Sequence, residues 1–284
     1  MARTQRALTD QAADAAVEAA CKVLHLSTIR ATYQDQLAAA ARAHLSHRAF
    51  LAELLMSECE VRERRRSETR LRTAGFPRPK WLVDFDFDAN PAVSQAVIAT
   101  LAECEWIRRG EPLCLIGDSG TGKSHLLIAL GSAATQQGFR VRYCSAAKLV
   151  NELVEAADEK MLTKTIARYG RVDLLCIDEF GYLELDRRGA ELLFQVLTER
   201  EEKNSVAIAS NENFSGWART FTDPRLCAAI VDRLTFRATI IETGTESYRL
   251  KHARSRIPQQ TMDTPSASTT TERNESDPGG SKSE

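Results

Sequence analysis

The chain has 284 residues, 43% of them hydrophobic, which suits one sizeable domain plus something smaller, with ample core. A net charge of −1 argues against bulk attraction to nucleic acid, and no apolar run approaches the roughly 20 residues of a membrane span. Seven cysteines form no C-x-x-C pair and five histidines show no metal spacing; Cys114, Cys144 and Cys176 fall in apolar, strand-like runs and read as reduced core thiols of a cytoplasmic protein.

Residues 1–24 begin Met1-Ala2-Arg3-Thr4-Gln5-Arg6 and pass into an alanine-rich acidic stretch rather than a signal-peptide core; this extension is either helical or frayed. Residues 25–76 read as a small all-helical region. Thr28 is placed to cap a helix with Ile29, Tyr33 and Leu37 on one face. Ser46 starts another with Phe50, Leu51, Leu54 and Leu55 as its stripe, running through the arginine-rich stretch to Gly75 and Pro77. Between Arg62 and Lys80 eight basic residues, among them Arg62, Arg65 and Arg66, stand against Glu63 and Glu68. That stretch is either a solvated, salt-bridged face or a nucleic-acid or partner surface. Residues 77–90 form a linker containing Phe85-Asp86-Phe87. Asn90-Pro91 then signals a helix start, with Val93, Val97 and Leu101 on one side.

The next stretch carries the chemistry. Leu113-Cys114-Leu115-Ile116 is a buried strand, followed by Gly117-Asp118-Ser119-Gly120-Thr121-Gly122-Lys123-Ser124, which together with His125 is the expected nucleotide-binding segment, and by a helix carrying Leu126, Leu127 and Leu130. The eight residues fit G-x-x-x-x-G-K-[ST] in the strand–loop–helix setting that a phosphate loop needs. The glycines let backbone N–H groups curl toward phosphate oxygens, and the helix N-terminus adds partial positive charge. In such a loop Lys123 reaches the β- and γ-phosphates and the Ser124 hydroxyl ligates Mg²⁺. Val141 to Cys144 is the next strand. Ser145 caps a helix, and a second helix, about Lys160 to Tyr169, is an insertion that a βαβ crossover does not require. Lys160, Lys164 and Arg168, spaced by four, make a basic stripe on it, either solvated or a track for phosphates. Leu174 to Ile177 is a strand ending in Asp178-Glu179. Asp178 is placed to meet Mg²⁺, and Glu179 to orient and deprotonate a water. Ser205 to Ala209 is a strand ending at Ser210-Asn211, where Asn211 either touches the γ-phosphate or caps a turn. Trp217 and Phe221 read as core anchors. Pro224 begins a helix with Asp232-Arg233 near its end, and Ala238 to Ile241 is the last strand.

Strands alternating with helices define a three-layer α/β phosphate-loop NTPase domain, residues 91–254, with a parallel sheet and the nucleotide at the strands' C-terminal ends. Residues 255–284 are almost wholly Ser, Thr, Pro, Gly and charge from about Gln260 and are expected to be disordered. The Asp178-Glu179 pair indicates a water-activating ATPase, and no N-K-x-D motif reads guanine.

The chain resembles the IstB-like helper ATPases of insertion sequences, relatives of DnaC helicase loaders and DnaA initiators in the AAA+ group. The resemblance covers about residues 24–252. It rests on Phe50-Leu51-Ala52-Glu53-Leu54-Leu55, Ala74-Gly75-Phe76-Pro77, Phe85-Asp86-Phe87, the phosphate loop, Ile177-Asp178-Glu179-Phe180-Gly181-Tyr182, Ser210-Asn211, Asp232-Arg233-Leu234 and Ser247-Tyr248-Arg249-Leu250. It implies that Asn211 is a γ-phosphate sensor and that Arg233 is an arginine finger reaching a neighbouring subunit's ATP. It implies a homo-oligomer assembled with ATP and Mg²⁺ on duplex DNA, largely without sequence preference, which helps a cognate transposase select its target. Thr235-Phe236 departs from the His-His expected there, and Arg249 has no assigned role because the family lacks a full lid domain. A DnaC-like helicase loader is the alternative on the same core. A small-molecule kinase would need a substrate lid that the sequence does not show.

Overall fold

Five short strands build one parallel sheet. In the computed structural model, which describes residues 9–182 and 184–250, the strands are β1 (Leu113–Ile116), β2 (Val141–Ser145), β3 (Leu174–Phe180), β4 (Ser205–Ser210) and β5 (Thr239–Glu242). Their order is β2-β3-β4-β1-β5, every pair parallel. Side chains alternate across the sheet, and the cores divide accordingly. Cys114, Ile116, Leu175, Ile177, Val206 and Ile208 face one layer. Leu113, Leu115, Leu174, Cys176, Ala207 and Ala209 face the other. β1, β3 and β4 are buried on both sides and therefore read as continuous apolar runs.

The helices are α1 (Asp10–Val23), α2 (Ser27–Arg42), α3 (His47–Ala74), α4 (Gln95–Ala102), α5 (Glu105–Arg108), α6 (Lys123–Gln136), α7 (Ala146–Asp158), α8 (Leu162–Gly170), α9 (Arg187–Arg200) and α10 (Pro224–Thr235). Side chains of α7, α8, α9 and α10 fill the first layer, and those of α4, α5 and α6 the second. The first three helices make a small bundle around Cys21, Ile29 and Leu54. The last of them, 28 residues long, continues past the bundle onto the sheet domain, where Ala74 is fully buried and Phe76 packs at 5.8 Å from the Tyr143 ring. The residues to Tyr248 form one compact unit. Among the described residues no helix is long and apolar enough to cross a membrane. Residues 1–8 and the 255–284 tail lie outside the described residues.

Several sequence expectations are met and others need correction. Residues 10–23 are helical, capped by Thr9. The Ser46 cap holds, its hydroxyl accepting from Ala49 N–H at 3.2 Å. Thr28 is not the cap of α2. That helix starts at Ser27, and the Glu58 carboxylate of α3 does the capping, accepting from Thr28 N–H at 2.7 Å and Ile29 N–H at 3.0 Å. Leu37, Leu51 and Leu55 are exposed rather than packed, because the three-helix core is narrow and centres on Ile29 and Leu54. The Asn90-Pro91 signal does not start a helix. α4 begins at Gln95 with Ser94 as cap, Ile98 and Leu101 face inward, and Val97 is exposed.

Candidate nucleotide site

Strand order places the ends of β1, β4 and β3 side by side at one edge of the sheet. The phosphate loop leaves β1 there, and Gly117 N–H donates to Ser210 O of β4 at 3.2 Å. Gly120 (φ 88°) and Gly122 (φ 96°) take left-handed backbone that side chains rarely adopt. A Cβ on Gly120 would meet Ser247 Oγ at 2.3 Å, and one on Gly122 would meet Phe85 Cε2 at 2.6 Å. The loop is therefore packed from outside at Gly120 and Gly122.

Hydrogen bonds from flanking segments hold it. Asn90 Nδ2 donates to Thr121 O at 2.8 Å and to Thr243 O at 3.0 Å. The Thr121 and Thr243 hydroxyls share a hydrogen bond of 2.6 Å. Tyr248 N–H donates to Gly120 O at 3.1 Å. Asn90 thus works as a staple between the linker, the loop and the end of β5. His125, expected with the loop in the nucleotide-binding segment, has Nε2 3.0 Å from Trp81 O and its imidazole edge-on to Phe85. The side chain therefore braces the linker.

Lys123 is buried, and its Nζ donates to Asp118 O at 2.7 Å, which keeps the ammonium over the loop. Ser124 Oγ donates to Asp178 Oδ1 at 3.0 Å. A hydroxyl and a carboxylate oxygen converging at the end of a phosphate loop are hard oxygen donors suited to Mg²⁺, so the residues present fit that ion. The second Asp178 oxygen accepts from Tyr143 OH at 2.7 Å. Burial and the nearby Asp178 carboxylate push the Tyr143 phenol upward, so it stays protonated and donates.

Directly after Asp178 the strand is irregular. The β3–β4 register shifts between Ile177 and Phe180, and Glu179 adopts φ 58°. Its N–H donates to Asp178 Oδ1 at 2.9 Å, and its side chain is exposed beside the loop while Phe180 returns to the core. A bulge with a left-handed, non-glycine residue costs about 1–3 kcal/mol and is a known way to re-aim a side chain. Asn211 follows the end of β4. Ser210 Oγ donates to Glu212 O at 2.6 Å and accepts from the buried Trp217 Nε1 at 3.0 Å, which fixes the turn that carries Asn211.

Arg233 is not part of this cluster. α10 runs back toward the start of the strands, where Thr239 N–H donates to Pro112 O at 3.0 Å. There Arg233 lines a cavity of about 380 Å³ with Gly110 and Pro112, its Nε 2.9 Å from Glu201 Oε2 and its guanidinium 4.3 Å from the Phe194 ring centroid.

The basic stripe is also rearranged. Lys160 sits in the turn before α8 with φ 58°, so Lys160, Lys164 and Arg168 do not share one helix. Arg168 is engaged by Glu152 of α7, which also accepts from Tyr169 OH. On α3, Arg62 pairs with Glu58 at 2.9 Å and Arg65 donates to Ser27 Oγ at 3.0 Å, so both serve the bundle; Arg66 is exposed. Sequence reasoning missed Tyr143, the Asn90 staple and Phe85 behind Gly122. Tyr143 reads as an ordinary strand aromatic, and Asn90-Pro91 gives the same signal as a helix cap. Among the described residues no group of His, Cys, Asp and Glu forms a separate metal cluster.

A parallel sheet in this order, with a phosphate loop after β1 and Asp-Glu after β3, defines a phosphate-loop nucleotide-binding domain of the AAA+ type. The profile of the IstB-like ATP binding protein family matches residues 19–256, and the chain belongs to that family. It is 38% identical over 233 residues to the ATP-binding protein of insertion sequence IS21 from Pseudomonas aeruginosa, covering 82% of this chain and 87% of that one. It is 33% identical over 234 residues to the ATP-binding protein of insertion sequence IS5376 from Geobacillus stearothermophilus, covering 82% and 93%. Among solved structures, AMPPCP-bound DnaA from Aquifex aeolicus superposes with a TM-score of 0.53 at 21% identity, over 68% of this chain and 58% of that one. That likeness is one of fold. The ATP-binding, insertion-sequence resemblance drawn from the motifs is thereby met.

Proposed function

We propose that this chain hydrolyses ATP and couples nucleotide state to assembly on duplex DNA, where it assists a transposase in target selection. The observation that carries the chemistry is the Ser124–Asp178 pair at the mouth of the loop, with Glu179 turned out beside it on a bulge. Lys123 and the loop N–H groups bind the β- and γ-phosphates. Ser124 and Asp178 would hold Mg²⁺, which when bound draws charge from the phosphate oxygens. Glu179 orients an attacking water and takes its proton. Asn211 contacts the γ-phosphate or that water. Arg233, at the far end of the strands, serves a neighbouring subunit. The insertion-sequence relatives support a transposase partner, and the exposed arginines of α3 and cations of α8 support a polyanionic one.

Nucleotide binding measured beside phosphate release tests the chemistry. Lys123→Ala is expected to lose ATP binding. Glu179→Gln is expected to bind ATP with parental affinity and to lose about 10²- to 10⁴-fold in turnover, the usual contribution of a positioned base. Turnover of Glu179→Gln at the parental rate would remove Glu179 from that role. DNA binding and transposase stimulation are read in the same assay, with duplex and purified transposase added to ATP.

A further inference from the structure

Two arginine sets that lie about 100 residues apart in the chain meet at the open edge of the sheet. β2 is an edge strand, and α3 and α8 flank it. Between them lies a cavity of about 370 Å³ lined by Arg70 of α3, Arg140 and Arg142 at β2, and Arg168 of α8. Among the described residues no carboxylate lines it; Val141, Tyr169 and Val172 supply apolar wall.

The charges around it do not balance. Arg70 pairs with Glu63 at 2.5 Å, Arg140 with Asp173 at 2.6 Å, and Arg168 with Glu152. Three acids thus serve four guanidinium groups. Arg142 is half-buried and makes no hydrogen bond or ion pair with a described residue; Glu152 acts on it only at range. A guanidinium held partly out of water beside three others favours an anion, and its planar fork matches two oxygens of one phosphate. The apolar walls lower the local dielectric and strengthen such a contact.

From these observations we infer that the α3–β2–α8 groove is a seat for the phosphodiester backbone of DNA, with Arg142 as its central contact. Continuity of charge out of the cavity favours a polymer over a single small anion. Arg66 stands one turn before Arg70 on α3, and Lys164 one turn before Arg168 on α8, both exposed. Each pair is spaced by about 6 Å along its helix, so cations continue along both walls of the groove. The inference rests on the reading that the chain binds DNA and narrows it to one place. It also makes the arginines of α3 and the cations of α8 two walls of one surface.

The test uses the full chain with a saturating non-hydrolysable ATP analogue and a fluorescent duplex of mixed sequence, titrated across a salt series. Arg142→Glu is expected to weaken duplex binding at least tenfold and to flatten the log–log salt slope by about 0.9 for each phosphate no longer neutralised. Arg142→Gln is expected to flatten the slope without adding repulsion, and Arg142→Lys to keep most of it. Lys22→Glu, on α1 and off the groove, is the matched charge reversal and is expected to leave the slope in place. Nucleotide affinity and melting temperature are measured on every variant to confirm the fold. A folded Arg142→Glu or Arg142→Gln chain with the parental slope would overturn the groove while leaving DNA binding intact. An equal loss in Lys22→Glu would reduce the effect to general charge and overturn it as well. A parental chain that binds a fluorescent polyglutamate peptide but no duplex would overturn both the groove's ligand and the DNA-binding reading beneath it.

Discussion

Glu58 shows how one side chain can join two helices. It is almost wholly buried, yet it is ionisable. Burial pushes against its charge, but the Ile29 N–H, the Arg62 guanidinium and the Thr28 N–H together outweigh it and hold the carboxyl below its usual range. The sign of the pH effect follows. A carboxyl with a depressed folded-state value stabilises the fold fully above the unfolded value, about 4.3 for glutamate, and that contribution is lost as pH falls through the folded value. Glu58→Gln is therefore expected to destabilise the N-terminal bundle by about 1–3 kcal/mol at neutral pH. The gap to the parent should narrow below about pH 4. Chemical denaturation of both proteins across that range checks it; a gap independent of pH would mean that the charge of Glu58 is immaterial. Arg200 has the opposite sign and, among the described residues, no acid within ion-pair distance. It is fully buried and donates to the carbonyls of Tyr169, Val172, Asp173 and Ser205, and burial pulls it down to about 10. It ties the end of α8 to the starts of β3 and β4.

At the scale of elements, the linker and the phosphate loop act as one unit. Phe85 fills the space behind Gly122, and its ring stacks edge-on with Phe87 and His125. Gly122→Ala would impose two separate costs: a methyl 2.6 Å from the Phe85 ring, and a side chain at φ 96°. We expect at least a tenfold loss of nucleotide affinity, about 1.4 kcal/mol. Adding Phe85→Ala should return only part of it, because the backbone cost of about 1–2 kcal/mol for a left-handed residue remains. Full recovery in the double variant, in a titration with fluorescent nucleotide, would place the whole effect in the ring contact. This coupling also marks where sequence reading ends. The strands, the phosphate loop and Asp178-Glu179 are legible because apolar alternation and glycine spacing are local patterns. So are Ser46, Ser145 and Pro224, whose helices begin where such residues predict. Asn90 is misread because a cap and a long-range staple share the same residue type, and its partner Thr243 lies 153 positions away. Glu58 and Tyr143 escape notice for the same reason. The basic stripe fails on a single residue, since the left-handed turn at Lys160 breaks a period that the sequence alone continues.

The whole molecule separates the two halves of its proposed catalytic apparatus. Ser124, Asp178 and Glu179 lie at the ends of the strands, and Arg233 lies at their beginnings, beside Pro112. β1 alone puts about 13 Å of strand between those edges, which is too far for the arginine to serve its own loop. The same separation suits a head-to-tail assembly, in which the strand-start surface of one subunit meets the phosphate-loop surface of the next. In the isolated chain Arg233 rests on Phe194 and pairs with Glu201, so it is already shaped and desolvated on one side. On this reading Arg233→Ala binds ATP normally but hydrolyses it about 10³-fold more slowly, the lower end of what a supplied arginine contributes. Lys123→Ala has the reverse lesion, an intact arginine and no functional loop. Mixing the two inactive proteins in equal amounts creates interfaces where an intact loop on the Arg233→Ala subunit meets an intact arginine on the Lys123→Ala subunit. Under random assembly about one interface in four has that composition. Phosphate release should therefore rise from the floor of either protein alone toward about a quarter of the parental rate, and should require the concentrations at which assembly occurs. Recovery that ignores dilution, or no recovery in mixtures shown by light scattering to co-assemble, would assign Arg233 to the packing of its own subunit through Glu201 and Phe194.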